Sequence, residues 1–212
     1  MDKRIEKTVE NFKKNNIEAF FVEASADAVK LVEEMLEEGE TISCGGSVTL
    51  SESGVFALIK SGRYNFLDRS RAKSPEEIAE IYRKTFYADT FLTSANAITE
   101  NGELINVDGN CNRISAITFG PKRVIVVAGI NKLVPDVEAG FHRVKTVAAP
   151  KNAQRLGCKT PCAKLGHCLK ADAPMPEGCD SPERICVNYL VGGRQRAEDR
   201  VKVIIVNEEL GY

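Results

Sequence analysis

What this sequence has little of narrows its class first. It has almost no excess charge: 29 Lys and Arg against 30 Asp and Glu give a net charge of -1. Acids and bases are mixed along the chain, so neither the basic footprint of a nucleic-acid binder nor a surface for acidic lipid is expected. Apolar runs are short, and none approaches the roughly 20 residues that a membrane span needs. Residues 1–16, MDKRIEKTVENFKKNN, are charged throughout and contain no apolar leader core, so a cytoplasmic location is the expectation. The phosphate-loop pattern GxxxxGK[ST] and the dinucleotide fingerprint GxGxxG are both missing. So are internal repeats and low-complexity tracts. Neither the C-x2-C knuckle of a zinc ribbon nor the contiguous cysteine run of a ferredoxin occurs.

What is present suits one α/β domain over residues 1–212: 212 residues, 43% of them hydrophobic, enough to bury a sizeable core. Helical spacing of Ile5, Val9 and Phe12 predicts an amphipathic helix over Lys3–Asn15. A strand is expected at Ala19–Val22, then a helix over Ala26–Leu36, capped by Ser25 and ended by Gly39. Thr41–Cys44 reads as a strand, Ser53–Lys60 as a helix and Tyr64–Leu67 as a strand. Ser74-Pro75-Glu76-Glu77 is a capping box that opens a helix to about Tyr87. Thr90–Ser94 and the β-branched run Arg123–Ala128 read as buried strands, with Glu103–Val107 a short strand after an Asn101-Gly102 turn. Pro135–Val147 is expected to be helical, and strands at Ile185–Val191 and Val201–Val206 close the chain. Repeated β–α units with apolar strands predict an open, mostly parallel sheet with helices on both faces.

In such sheets ligands bind beyond the carboxyl ends of the strands. Two stretches there are candidates. Gly45-Gly46-Ser47-Val48-Thr49 joins a strand to a helix, where successive backbone N–H groups and the Ser47 and Thr49 hydroxyls can cradle an anion. The plain alternative is a tight turn that merely needs glycine. Asn96 and the segment Asp108-Gly109-Asn110-Cys111-Asn112-Arg113 form polar loops; Arg113 offers a planar fork for carboxylate or phosphate. Glu52, Glu100 and Asp108 are candidate acid–base groups, against the alternative that Asp and Asn here serve turns.

Seven cysteines occur, five of them between Cys158 and Cys186 with spacings x3, x5, x10 and x6. The segment about 157–187 lacks periodicity, and an irregular loop of that length is usually functional or stapled. Four thiolates brought together would suit Zn²⁺ or an iron–sulfur cluster; the alternative is a set of unrelated free thiols. His167 reads as a solvated loop residue and His142 as a helix-edge residue.

In order, ISCGGSVTLSESG (42–54), SANAITENGELINVDGNCNR (94–113), RVIVVAGINKLV (123–134) and TPCAKLGHC with PERIC (160–168, 182–186) resemble the lactate-utilisation (LUD) domain family over nearly the whole chain. That family is similar to ribose-phosphate isomerases, glucosamine-phosphate deaminases and CoA transferases. The resemblance implies a Rossmann-like sheet with a ligand cleft at the glycine loop, and a phosphate- or CoA-binding role for Gly46–Thr49. It implies a part in oxidising lactate or a similar organic acid, beside iron–sulfur redox partner proteins. The lysine that the isomerases carry near Asn106–Gly109 is missing here. The cysteine set within the family-like segment is Cys162, Cys168, Cys179 and Cys186, with Cys158 spare; the family's redox setting favours iron–sulfur over zinc. The leading expectation is therefore a LUD-type protein that binds a small anionic ligand through Gly45, Gly46, Ser47, Thr49, Asn96, Gly109, Asn112 and Arg113 and carries a cysteine-ligated metal. The rivals are a CoA transferase- or sugar-phosphate isomerase-like enzyme using Glu52, Glu100 or Asp108, and a non-catalytic assembly subunit with structural zinc.

Overall fold

The computed structural model describes residues 2–212. Its centre is a six-stranded, wholly parallel sheet in the order β1 (Glu18–Val22), β10 (Val201–Val206), β7 (Arg123–Gly129), β4 (Thr90–Thr93), β2 (Thr41–Cys44), β3 (Asn65–Phe66). Alternate side chains of the same strand enter opposite layers, as a strand's period of two requires. Val124, Val126, Val203 and Ile205 pack with Phe12, Phe91 and Ala116, on the side of α1 (Lys3–Lys14) and α6 (Asn112–Phe119). Ile125, Val127, Ile204 and Val206 pack with Val32, Leu50 and Ile59, on the side of α2 (Ser25–Met35), α3 (Val48–Glu52) and α4 (Val55–Ile59). Ile125 and Ile204 are fully buried; each contributes about 1.5–3 kcal/mol of transfer free energy. The α/β class and the parallel sheet expected from the apolar strands are both present.

A second sheet of four strands was not expected: β8 (Leu133–Val134), β5 (Ala97–Thr99), β6 (Leu104–Asp108) and β9 (Asn188–Gly192), with β5–β8 parallel and the other pairs antiparallel. Three-residue β5 lies where a polar loop was read; Ala97, Ile98 and Thr99 are all buried. Helix α7 (Val137–Arg143), a wider π-helical turn at Val144–Ala148 and α8 (Ala149–Arg155) follow where one helix over Pro135–Val147 was expected. Phe141, Val144 and Met175 close this sheet's outer layer against Ile105 and Val107.

Other boundaries shift for local reasons. Ser25 is the first residue of α2 rather than its cap, because its hydroxyl and N–H bind the Glu208 carboxylate instead. Left-handed Gly54 caps the start of α4, the observed form of the expected Ser53–Lys60 helix, and the separate short helix α3 lies before it. The Ser74 hydroxyl does cap α5 (Pro75–Lys84), accepting from Glu77 N; Glu77 reaches back to Lys73 N, and a 3-10 turn carries the chain on to Tyr87. Helix α6 was not anticipated. Asp108, ahead of it, accepts through Oδ2 from Ile114 N in its first turn at 2.9 Å.

Helix α1 is held to the second sheet at the turn between β5 and β6. Asn11 Nδ2 donates to Glu100 O, and a β-carbon at Gly102 (φ +80°) would lie 2.5 Å from the Asn11 and Phe12 backbone. Gly102→Ala is therefore expected to lower stability by about 1–3 kcal/mol, through left-handed strain and displacement of α1. A urea midpoint equal to the parent's would refute this.

Candidate functional site

The chain enters the parallel sheet at edge strand β1, jumps inward to β2, runs outward to β3, then returns through β4 and β7 to β10. The reversal leaves the carboxyl ends of β2, β4 and β7 side by side, the position where α/β sheets place ligands. Each end carries a distinct group: Gly45–Thr49 after β2, Ser94–Asn96 after β4, and Lys132 shortly after β7. Above them opens a polar cavity of about 780 Å³. Its remaining walls are Arg69 and Tyr82, the Val107–Arg113 segment, Asn152 and Arg155 of α8, the Pro182–Ile185 segment with Val187, and Tyr212.

Lys132 forms the floor. Its side chain is 3% exposed, and Nζ donates to Thr49 Oγ1 (2.8 Å), Ser94 Oγ (3.0 Å) and Ala95 O (3.2 Å). Among the described residues no carboxylate pairs with it. Burial, then the charges of Arg143 and Arg113, push the amine down to about 7, with Glu52 opposing. Sequence reasoning passed over this residue because it sits inside an apolar run, GINKLV; a lone lysine directly after a buried strand was the available signal.

Five cations line the cavity against two acids, Asp108 and Glu183. Most are committed. Arg113 binds Asp108 Oδ1 through Nε at 2.9 Å and Nη2 at 2.7 Å, and also donates to Asn96 Oδ1, Val107 O and Ser94 O. Its fork is thus spent on orienting the loops around it, Asn96 included. Arg155 binds Asn152 Oδ1 and Tyr212 Oη. Arg184 donates to the Cys186, Cys179 and Pro176 carbonyls and to Tyr189 Oη. Arg69 differs: among the described residues its guanidinium meets no acceptor. It lies over the Tyr82 ring, 6.0 Å from the centroid, and against Gly46, where a β-carbon would stand 2.6 Å from Nη2. A side chain at position 46 would push that guanidinium aside.

The expected site residues divide accordingly. Gly46, Ser47, Thr49, Asn96, Asp108, Gly109, Asn112 and Arg113 all line the cavity. Gly45 lies just behind it, packed between Thr93 and Arg113. Glu52 turns away and accepts from Gly211 N at 2.5 Å. Glu100 lies outside the cavity, bound to Arg4 Nε at 2.5 Å.

Cys162, Cys168, Cys179 and Cys186 line a second cavity of about 20 Å³, together with Lys145, Ala149, Pro161, Leu169 and Glu177; Cys158 is not part of it. All seven thiols are unpaired. Among the described residues no three His, Cys, Asp or Glu side chains converge closely enough to hold a metal ion. Four of the cysteines nevertheless border a single small space, beside a buried amine. That amine, Lys145 Nζ, donates to the carbonyls of Lys170 (2.8 Å) and Pro174 (2.9 Å) and so gathers the loop around the cavity. It comes from the π-helical turn, a distortion that often marks functional positions. The two cavities share a wall: Cys186 faces the small one, while Arg184, Ile185 and Val187 face the large one.

Fold and cavity together define an α/β protein of the doubly wound kind, with a cavity rich in basic side chains at its strand ends. The chain belongs to the LUD domain family, whose model matches residues 5–206. Among solved structures it is similar to a DUF162 family protein from Deinococcus radiodurans, at 17% identity and TM-score 0.52, covering 98% of this chain and 100% of that one. Weaker likenesses are to eIF2B delta from Chaetomium thermophilum (20% identity, TM-score 0.37, 54% of this chain and 49% of that one) and to a D-ribose-5-phosphate isomerase in complex with phospho-erythronic acid (13%, 0.38, 81% and 78%). No curated protein matches. No described helix is long and apolar enough to cross a membrane.

The depressed lysine has a sign that can be checked. Between about pH 7 and 10.5 the unfolded chain holds the Lys132 proton and the folded chain does not, so this group's contribution to stability rises with pH across that window. Below pH 7 both states are protonated and the cost of burying the charge is fully present. The stability of Lys132→Met relative to the parent is expected to be most favourable at and below pH 7 and to fall toward alkaline pH in urea unfolding. A difference independent of pH would contradict a depressed lysine.

Proposed function

We propose that this protein binds a small carboxylate- or phosphate-bearing ligand in the strand-end cavity, and that it serves the oxidation of lactate or a similar organic acid beside iron–sulfur redox partner proteins. The observation that carries the binding reading is Arg69: a half-buried guanidinium, without an acceptor, set over the glycine loop at the mouth of a cavity with a cationic excess. Backbone N–H groups of Gly46, Ser47 and Thr49 and the Ser47 hydroxyl supply further donors, while the Thr49 hydroxyl is engaged by Leu210 O and Lys132. Arg113 contributes by positioning, since it holds Asp108, Asn96 and the Ser94 carbonyl in place. Of the three acid candidates, Asp108 alone lines the cavity; Glu52 and Glu100 have backbone and arginine partners elsewhere. The organic-acid setting rests on the family resemblance.

The small cavity is the proposed metal centre, with Cys162, Cys168, Cys179 and Cys186 as ligands. A bound iron–sulfur cluster would supply one-electron transfer; zinc would supply only a staple. In either case Lys145 offsets the negative charge of the thiolates and ties the loop to the π-helical turn. Ordering each backbone residue of an irregular segment costs roughly 1–2 kcal/mol, which gives metal ligation at this loop a structural use as well.

Arg69→Ala is expected to weaken phosphate or lactate binding roughly tenfold or more, the loss of a charge-assisted contact worth about 1.5–3 kcal/mol. Calorimetry that finds the variant equal to the parent would remove the anion reading. For the metal, anaerobically purified protein is expected to hold iron or zinc. Cys168→Ser or Cys179→Ser should lose it and expose the 157–187 segment to protease, while Cys158→Ser keeps it. Metal-free protein with seven reactive thiols would refute the centre.

A further inference from the structure

Lys132 does more than a loop clamp requires. Two of its three oxygen partners are hydroxyls that can donate as well as accept, so the amine need not be charged to be satisfied, whereas a buried ammonium without a carboxylate is costly. The acid whose charge acts on it, Glu52, spends Oε2 on Gly211 N. The amine nevertheless lines an open, polar cavity. An amine held neutral there keeps a lone pair, and the Thr49 and Ser94 hydroxyls can donate either to it or to an oxygen developing beside it.

We propose that Lys132 is a nucleophilic amine that condenses reversibly with the carbonyl carbon of a small aldehyde or ketone carrying a carboxylate or phosphate, the acid group resting on Arg69. The inference rests on the anion-binding reading of the cavity. The Nζ lone pair bonds to the carbonyl carbon, the C=O π pair moves to oxygen, and one amine proton passes to that oxygen, giving a carbinolamine. The C–O bond then breaks, the second amine proton leaves with the oxygen as water, and a C=N bond remains. Amine and carbonyl compound become imine and water, with no oxidant or reductant consumed. Ser94 Oγ, 3.0 Å from Nζ, is placed to relay both protons, with Thr49 Oγ1 at 2.8 Å as its neighbour. The amine's depressed basicity agrees with this role, since a substantial neutral fraction exists near pH 7.

The test is reductive trapping on the full chain. Protein is incubated with pyruvate, with dihydroxyacetone phosphate or with acetone, each with cyanoborohydride near neutral pH, and followed by intact mass and peptide mapping. The expected result is one adduct per chain, mapped to Lys132 and formed at least about tenfold faster with an anionic probe than with acetone. The faster of the two anionic probes tells carboxylate from phosphate. Lys132→Arg should abolish the adduct, and mapping on the parent decides the matter if that variant does not fold. No adduct with either anionic probe, or adducts scattered over surface lysines, overturns the proposal. Calorimetric anion binding that depends on Arg69, without any Lys132 adduct, overturns the amine chemistry and leaves the anion cavity standing. A Lys132 adduct indifferent to Arg69→Ala supports the amine and overturns the assignment of Arg69.

Discussion

The site depends on one amine to which three strand ends are tied. Lys132 follows β7, Thr49 begins the helix after β2, and Ser94 and Ala95 follow β4. Their parent strands are neighbours in the sheet, so backbone pairing already brings the ends close. The amine then fixes how the three loops stand relative to one another. Without it, two buried hydroxyls and a carbonyl at the cavity floor would have to find other partners, and an unmade hydrogen bond on a buried group costs about 1–3 kcal/mol. The clamp joins the helix layer to the sheet at the depth where a ligand would touch both.

A second level of order surrounds that floor. Arg113 gathers Asp108, Asn96 and two carbonyls, and Arg143, from α7, reaches the Asn96 carbonyl at 2.5 Å and that of Asn131 at 3.1 Å. The second sheet is thereby pinned to the first through the same loops that line the cavity. Most of the cationic side chains at this site are scaffold; the unspent guanidinium of Arg69 stands out because its neighbours are spent.

The frame was legible because burial on both faces leaves a plain mark: Arg123–Ala128 and Val201–Val206 read as strands and are strands. The glycine loop and the Asp108–Arg113 segment were placed at the strand ends because polar residues directly after buried strands have few other uses. What escaped was set by longer-range contacts. Ala97–Thr99 is too short to show alternation, and it becomes a strand only by pairing with Leu104–Ile105 and Leu133–Val134. The segment after Cys111 has little amphipathic contrast, so α6 was invisible until Asp108 was seen to accept from its first turn. Glu100 looked like a cleft acid because its loop is polar, but its neighbour in space is Arg4, nearly a hundred residues away in sequence. Arg69 and Lys132 belong to segments whose sequences are unremarkable; their chemistry comes from what they do or do not touch.

The segment from Arg184 to Val187 is a partition only one chain thick. Cys186 borders the cavity lined by thiols, its neighbours Arg184, Ile185 and Val187 border the cavity lined by cations, and the segment is fastened to the second sheet where Val187 N donates to Asp108 O at 3.2 Å. A wall that thin cannot yield to an occupant on one side without being displaced on the other. Occupants of the two chambers would therefore meet at the same stretch of chain, and any free energy by which one favoured the other would be returned in equal measure, because linkage between two sites is reciprocal.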